Sequence, residues 1–149
     1  TNGAMGYGVP AALAAAVVFP QRTTVCFVGD GGFLMASNEL ATALQYDLNP
    51  IYLVINNGMF GTIRMHQERD YPGREVATEL RNPDFAAYAQ SFGAFGEIVE
   101  RSEDFAGALD RALAADTVAV LELRTDPEAI NTRTTLTAIR EASLAKQGG

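Results

Sequence analysis

Thr23-Thr24-Val25-Cys26-Phe27-Val28-Gly29-Asp30-Gly31-Gly32 and Ile51-Tyr52-Leu53-Val54-Ile55-Asn56-Asn57-Gly58 decide the fold. Each is a short apolar run that stops at polar residues and glycine. Neither alternates cleanly between apolar and polar, the pattern of a strand buried on both faces. Between Gly31 and Asn56 lie 24 residues, enough for one crossover helix. Strands joined by a helix run parallel, so both loops fall at the carboxyl edge of one sheet. Ligands of open α/β sheets bind at that edge.

Outward from this pair the chain keeps alternating. Residues 3–8 read as a glycine-rich loop, and Pro10 suits the first turn of a helix over 11–19. That segment is apolar nearly all round, which predicts a buried helix. Ser37 is placed to cap a helix reaching residue 46, with Leu40 and Leu44 on one face. Asn49-Pro50 breaks it before the strand 51–55. Residues 60–69 have helical composition, and 70–83, with two prolines and mixed charges, read as an exposed loop. A helix over 84–92 stops at Gly93, and a strand follows over 95–99. Ser102 is placed to cap a helix over 103–115, with Phe105, Leu109 and Leu113 four apart on one face. A buried strand covers 118–123, and Asp126-Pro127 opens a last helical region whose later part is 136–146. The expected fold is α/β, a doubly wound parallel sheet with helices on both faces.

The 149 residues, 48% of them apolar, suffice for one domain with its own core, expected over 1–149. The net charge of −7 comes without any cluster of Lys or Arg, which argues against nucleic acid or an anionic membrane as partner. No apolar run reaches membrane-spanning length. Cys26 is the single cysteine, has no partner for a disulfide and reads as a small buried hydrophobe, in keeping with a cytoplasmic setting. The chain opens inside a glycine-rich segment, as expected of a piece of a longer polypeptide lacking its N-terminal part.

The two loops carry metal and phosphate chemistry. Mg²⁺ takes about six oxygen ligands at roughly 2.0–2.1 Å. Asp30 offers a charged oxygen, Asn57 a carboxamide oxygen, and the turn after Asn57 can bring back the Met59 carbonyl. Gly31 and Gly32, without Cβ, let their N–H groups approach phosphate oxygens closely. Alone, Gly-Asp-Gly is a turn signal, and Asn-Gly at a strand end suits a hairpin. The helical composition of 60–69 fits a hairpin poorly, and the two loops together are far more specific than either half.

At these residues the chain resembles the thiamine diphosphate-dependent 2-oxo acid enzymes, the acetolactate synthase and pyruvate decarboxylase group. Their fingerprint is Gly-Asp-Gly, then 24–30 residues, then Asn-Asn, and it stands here as Gly29-Asp30-Gly31 and Asn56-Asn57. Gly3-Ala4-Met5-Gly6-Tyr7-Gly8-Val9-Pro10, Asn57-Gly58-Met59-Phe60-Gly61 and Arg64-Met65-His66-Gln67 extend the similarity. The resemblance implies the C-terminal, diphosphate-binding domain of such an enzyme. Asp30, the Asn57 side chain and the Met59 carbonyl would hold Mg²⁺. Gly31 and Gly32 would contact the diphosphate through their backbone, Gly29, Phe60 and Gly61 would belong to the cofactor site, and the Gly3 carbonyl and Met5 N–H would bind the aminopyrimidine ring. The Met5 side chain would sit under the cofactor's bend.

The activity so implied is that of a lyase or carboligase. A small 2-oxo acid loses carbon dioxide, and the remainder is protonated or joined to a second carbonyl compound. The family's activating Glu lies in a separate pyrimidine-binding domain of the same or a neighbouring subunit. No residue here matches it, so the chain alone is expected to be inactive. A homodimer or homotetramer is the implied assembly. A reading from another class is a non-catalytic α/β module that binds a metal or a nucleotide phosphate.

Other residues carry plainer readings. His66 stands where acetolactate synthases carry a Trp; it suits a proton donor and an exposed polar residue equally. Met35 reads as core, Ser37 as a helix cap rather than a nucleophile, and residues 67–70 as a solvated surface. Gly-Ala-Met-Gly-Tyr-Gly has the wrong glycine spacing for a dinucleotide site, and no strand precedes it.

Overall fold

The structure, a computed structural model, describes residues 2–147. The element order is α1 (Gly8–Val18), β1 (Val25–Gly29), α2 (Asp30–Leu34), α3 (Leu40–Gln45), β2 (Ile51–Asn56), α4 (Gly61–Asp70), α5 (Phe85–Phe92), β3 (Phe95–Val99), α6 (Phe105–Ala114), β4 (Ala119–Arg124) and α7 (Leu136–Gln147). The chain divides into two compact units. Unit one is Thr1–Asn56 with Asn82–Arg124; unit two is Asn57–Arg81 with Thr125–Gly149.

Unit one holds a four-stranded, all-parallel sheet in the order β1-β2-β4-β3. The side-chain period of two sorts each strand's residues between two cores. On one face Tyr52, Val54 and Val120 pack with Val9, Leu13, Phe33, Leu40, Phe85 and Ala89, from α1, α2, α3 and α5. On the other Ile51, Leu53, Ala119 and Leu121 pack with Ala108 and Ala112 of α6. Helices therefore cover both faces, as the alternating pattern predicts. Phe33 anchors the first core, with its ring 5.8 Å from Tyr52 and 5.6 Å from Phe85.

In unit one four expectations change. β1 is not buried on both faces: it lies at the sheet edge, α6 packs on β3 and β4, and Val25 and Phe27 are exposed. The outer side of α1 is likewise exposed at Val17, Val18 and Phe19. Ser37 and Ser102 cap no α-helix; each opens a short 3-10 turn, and the Ser37 hydroxyl instead donates to the Tyr88 hydroxyl. Met35 and Leu113 are half exposed, so the buried stripe of α6 runs through Ala108 and Ala112.

α5 behaves as the sequence predicts. Asp84 accepts the Ala87 N–H at 2.8 Å at its start, and Gly93, at φ 91, ends it in the left-handed region. β3 then passes so close beneath α5 that a Cβ on Gly96 would lie 2.2 Å from the Ala86 carbonyl oxygen.

Unit two pairs α4 with α7. Glu68, expected on a solvated surface, is fully buried here. Its carboxylate accepts from Arg64 Nε at 3.0 Å, Arg140 Nε at 2.8 Å and the Gly73 N–H at 3.0 Å. Burial of this acid is tolerable because three donors surround it. Thr78 is also buried, so the segment 70–83 is not exposed throughout. Asp126-Pro127 opens a turn rather than a helix, and the last helix starts at Leu136.

Two outcomes follow. Gly96→Ala should lower the unfolding free energy by about 3 kcal/mol, because backbone rather than a flexible side chain must yield; denaturant melts at pH 7 read this. The Arg140 hydrogen bond, helped by Gly73 and Arg64, holds the Glu68 carboxyl down at about 2 from an ordinary 4.5 despite its burial. The unfolded chain takes up that proton at higher pH than the folded one, so the stabilisation is complete above pH 4.5 and is lost as pH falls to about 2. Glu68→Gln should lower stability by about 2 kcal/mol at pH 7. Melting of variant and wild type should converge as pH falls from 4.5 to about 2, and equal melting at neutral pH would refute the assignment.

Candidate functional site

In unit one the carboxyl ends of β1 and β2 lie side by side, with Gly29 opposite Ile55. The chain does not loop after Gly29. It enters α2 at once, so Asp30, Gly31 and Gly32 form a helical first turn and are all buried. The helix expected from Ser37 is therefore not the element that follows the motif directly. Asp30 is only 3% exposed. Its Oδ1 accepts the Gly31 N–H at 2.8 Å, and its Oδ2 accepts Asn82 Nδ2 at 2.7 Å.

Asn82 extends the contact. The same Nδ2 donates to Asn56 Oδ1 at 2.9 Å. Asn56 in turn donates its Nδ2 to Glu122 Oε1 at 2.8 Å. Glu122, in the middle of the sheet on β4, is 1% exposed. Its Oε2 accepts the Phe85 N–H at 2.9 Å, at the start of α5, and its Oε1 also accepts Arg124 Nε at 3.2 Å. One side chain is left incomplete: Asn82 Oδ1 is buried and has no hydrogen-bond partner among the described residues. An unmet buried acceptor costs about 1–3 kcal/mol.

Sequence reading missed Asn82, Asn56 and Glu122 as parts of this network. Asn56 left a signal as the first member of the Asn56-Asn57 doublet and Glu122 as an acid inside an otherwise apolar strand, while Asn82 left none.

Met5 and Gly3 lie in the glycine-rich stretch before α1. Gly3 takes φ 61, Gly6 φ 80, and Met5 is 44% exposed. Cys26 is buried as expected, its thiol donating to the Gly8 carbonyl at 3.4 Å.

Asn57 and Met59 belong to unit two. Gly58 takes φ 71, which turns the chain after Asn57. Asn57 Oδ1 accepts the Met59 N–H at 3.2 Å. An antiparallel bridge pairs Met59 with Glu79, and the Gly58 carbonyl accepts the Leu80 N–H at 2.8 Å. Phe60 donates its N–H to the Thr78 carbonyl at 2.8 Å, and the Met59 carbonyl accepts the Gly61 N–H at 2.9 Å. Gly61 is packed tightly, since a Cβ there would stand 2.8 Å from Asn57 Nδ2 and 3.1 Å from Ile130 Cδ1. The segment is a helix entry, not a hairpin. His66 lies on the exposed side of α4.

The donors at these positions are one carboxylate, carboxamides and backbone carbonyls. An all-oxygen set suits a hard cation such as Mg²⁺. Among the described residues no three His, Cys, Asp or Glu side chains gather into a metal cluster.

Comparison with known proteins places these residues in a wider set. The family model described as "Thiamine pyrophosphate enzyme, C-terminal TPP binding domain" matches residues 1–123. The acetolactate synthase isozyme 3 large subunit of Escherichia coli is 36% identical over 112 residues, which are 74% of this chain and 20% of that protein. A putative thiamine pyrophosphate-containing protein of Bacillus subtilis, YdaP, is 38% identical over 120 residues, 80% of this chain and 21% of that protein. The chain thus spans about a fifth of the length of these relatives. Among solved structures, a thiamine diphosphate-dependent 4-hydroxybenzoylformate decarboxylase of Rhodococcus jostii matches with a TM-score of 0.77 at 32% identity, over 82% of this chain and 23% of that one. A benzoylformate decarboxylase of Polynucleobacter necessarius matches with a TM-score of 0.76 at 25% identity, over 85% of this chain and 25% of that one.

Proposed function

Because the chain belongs to the thiamine pyrophosphate enzymes, as their C-terminal TPP-binding domain, we propose that it holds the diphosphate of thiamine diphosphate through Mg²⁺. The observation that carries this is Asp30. Its carboxylate is kept 3% exposed at the carboxyl end of β1, and a directed donor meets each of its oxygens. The fixed position suits a metal ligand, because a preorganised anion costs little to reorganise when the cation arrives.

The proposed ligands are Asp30, the Asn57 side chain and the Met59 carbonyl. Each is a hard oxygen donor, and the Asn57 amide is already steadied by the Met59 N–H. Gly31 and Gly32 are assigned to the diphosphate, Gly29, Phe60 and Gly61 to the cofactor site around it, and Gly3 and Met5 to the pyrimidine end. His66 is the one titratable side chain here proposed as a proton donor to substrate.

The reaction proposed for the whole protein is decarboxylation of a small 2-oxo acid, with transfer of the remainder to a second carbonyl compound as an acetolactate synthase-like extension. Relatives named acetolactate synthase and decarboxylase support that class. Bound thiamine diphosphate supplies the electron sink for this chemistry. The chain's own residues anchor and orient; the acid that activates the pyrimidine is proposed to come from a pyrimidine-binding domain of the same or a neighbouring subunit. A cytoplasmic homodimer or homotetramer is the proposed setting, in keeping with a chain whose described helices are too short or polar to cross a membrane.

Calorimetry on the full-length protein separates this from a plain metal- or nucleotide-phosphate-binding module. Thiamine diphosphate with Mg²⁺ should bind, and neither ATP nor ADP should compete. Asp30→Ala should weaken binding by more than about 100-fold, beyond the roughly 10–100-fold usual for groups behind a ligand. Unchanged affinity in that variant would refute the metal assignment. The 149-residue chain alone should turn over no 2-oxo acid, and turnover would place the activating acid within it.

A further inference from the structure

The four side chains Asp30, Asn82, Asn56 and Glu122 form one directed line within unit one, and Glu122 sets its direction. A carboxylate only accepts, so Glu122 Oε1 requires that Asn56 present its NH₂ end, 2.8 Å away. The Asn56 carbonyl end is then turned to Asn82, which must answer with its own NH₂. That leaves the second hydrogen of Asn82 Nδ2 for Asp30 Oδ2, at 2.7 Å. Reversing either amide would set two acceptors against each other. The buried acid on β4 thereby fixes which group faces the carboxylate at the end of β1.

The line also leaves an acceptor unmet. With its NH₂ committed to two acceptors, Asn82 keeps its Oδ1 buried without a partner among the described residues. A merely structural network would gain from satisfying that oxygen, and rule-breaking at a polar cluster marks function. We infer that Asn82 is a positioning residue for the metal site: oriented by Glu122 through Asn56, it holds the Asp30 carboxylate in the pose that receives Mg²⁺. The first Asn of the doublet is then an orienting relay, while only the second is a metal ligand. This rests on the proposed role of Asp30.

The test uses the full-length protein, with Mg²⁺ titrated at saturating thiamine diphosphate, beside melting of the cofactor-free form. Asn82→Ala should raise the Mg²⁺ dissociation constant by about 10–100-fold, as for groups behind a metal ligand. Its cofactor-free melting midpoint should stay within about 5 °C of wild type, because the substitution removes the unmet oxygen along with the donor. Glu122→Gln keeps the shape but can offer NH₂ to Asn56, so the direction is no longer enforced; it should weaken Mg²⁺ in the same sense, by a smaller factor. Asp30→Ala is the control. If Asp30→Ala binds normally, the metal reading falls. If Asp30→Ala loses Mg²⁺ while Asn82→Ala and Glu122→Gln match wild type, only the positioning role falls. Loss of cooperative melting in both of those variants would likewise overturn it, since the line would then serve the fold alone.

Discussion

A carboxylate in the middle of a parallel sheet is costly unless donors surround it. Glu122 meets that constraint, and the polar carboxyl edge of unit one is arranged around it. The Phe85 N–H, free at the start of α5, finds its acceptor there. Asn56, at the last position of β2, is turned toward it, and Arg124, two residues on along β4, reaches back to it. One buried charge thus ties the start of a helix to the ends of two neighbouring strands. The two apolar cores beneath hold those strands in register, so the polar groups above inherit fixed positions.

The layered architecture was legible because it depends on period and composition. β2 places Tyr52 and Val54 in one core and Ile51 and Leu53 in the other, as a run without alternation implies. The ends of α5 were legible too, since Asp84 and Gly93 are local signals. Local signals misled where a second structure competes for them. Ser37 and Ser102 are reasonable caps, yet 3-10 turns occupy both places. Glu68 reads as a surface acid in a charged stretch; Arg140, 72 residues away, joins Arg64 and Gly73 in accounting for its burial. The apolar residues of β1 promise two covered faces, but coverage is set by where α6 packs. Met35 fails for a related reason, since hydropathy reports preference and not position.

The candidate site divides in the same way. Asp30 and Asn57 stand out in the sequence because each sits in a short motif at a strand end. Asn82 does not, since its acceptors lie 52 and 26 residues away and Asn-Pro-Asp reads as an ordinary turn before a helix. The doublet Asn56-Asn57 looked like a single feature. In the structure its first member ends a strand in unit one and its second begins the turn that opens unit two. The doublet is thus divided at a unit boundary.

The strand order carries a consequence for how the chain is made. Among the described residues β4 is the last strand in chain order, yet it lies between β2 and β3 and is the only strand with which β3 pairs. During vectorial synthesis β1 and β2 can meet early, but β3 waits without a hydrogen-bonded neighbour until residue 124 has emerged. Glu122 arrives with β4 and is itself the acceptor for the start of α5. Closing the sheet and orienting the polar edge are therefore one late event on a nascent chain. Long-range pairing of this kind is slow to form, and the unpaired strand is where a nascent-chain chaperone would have most to shield.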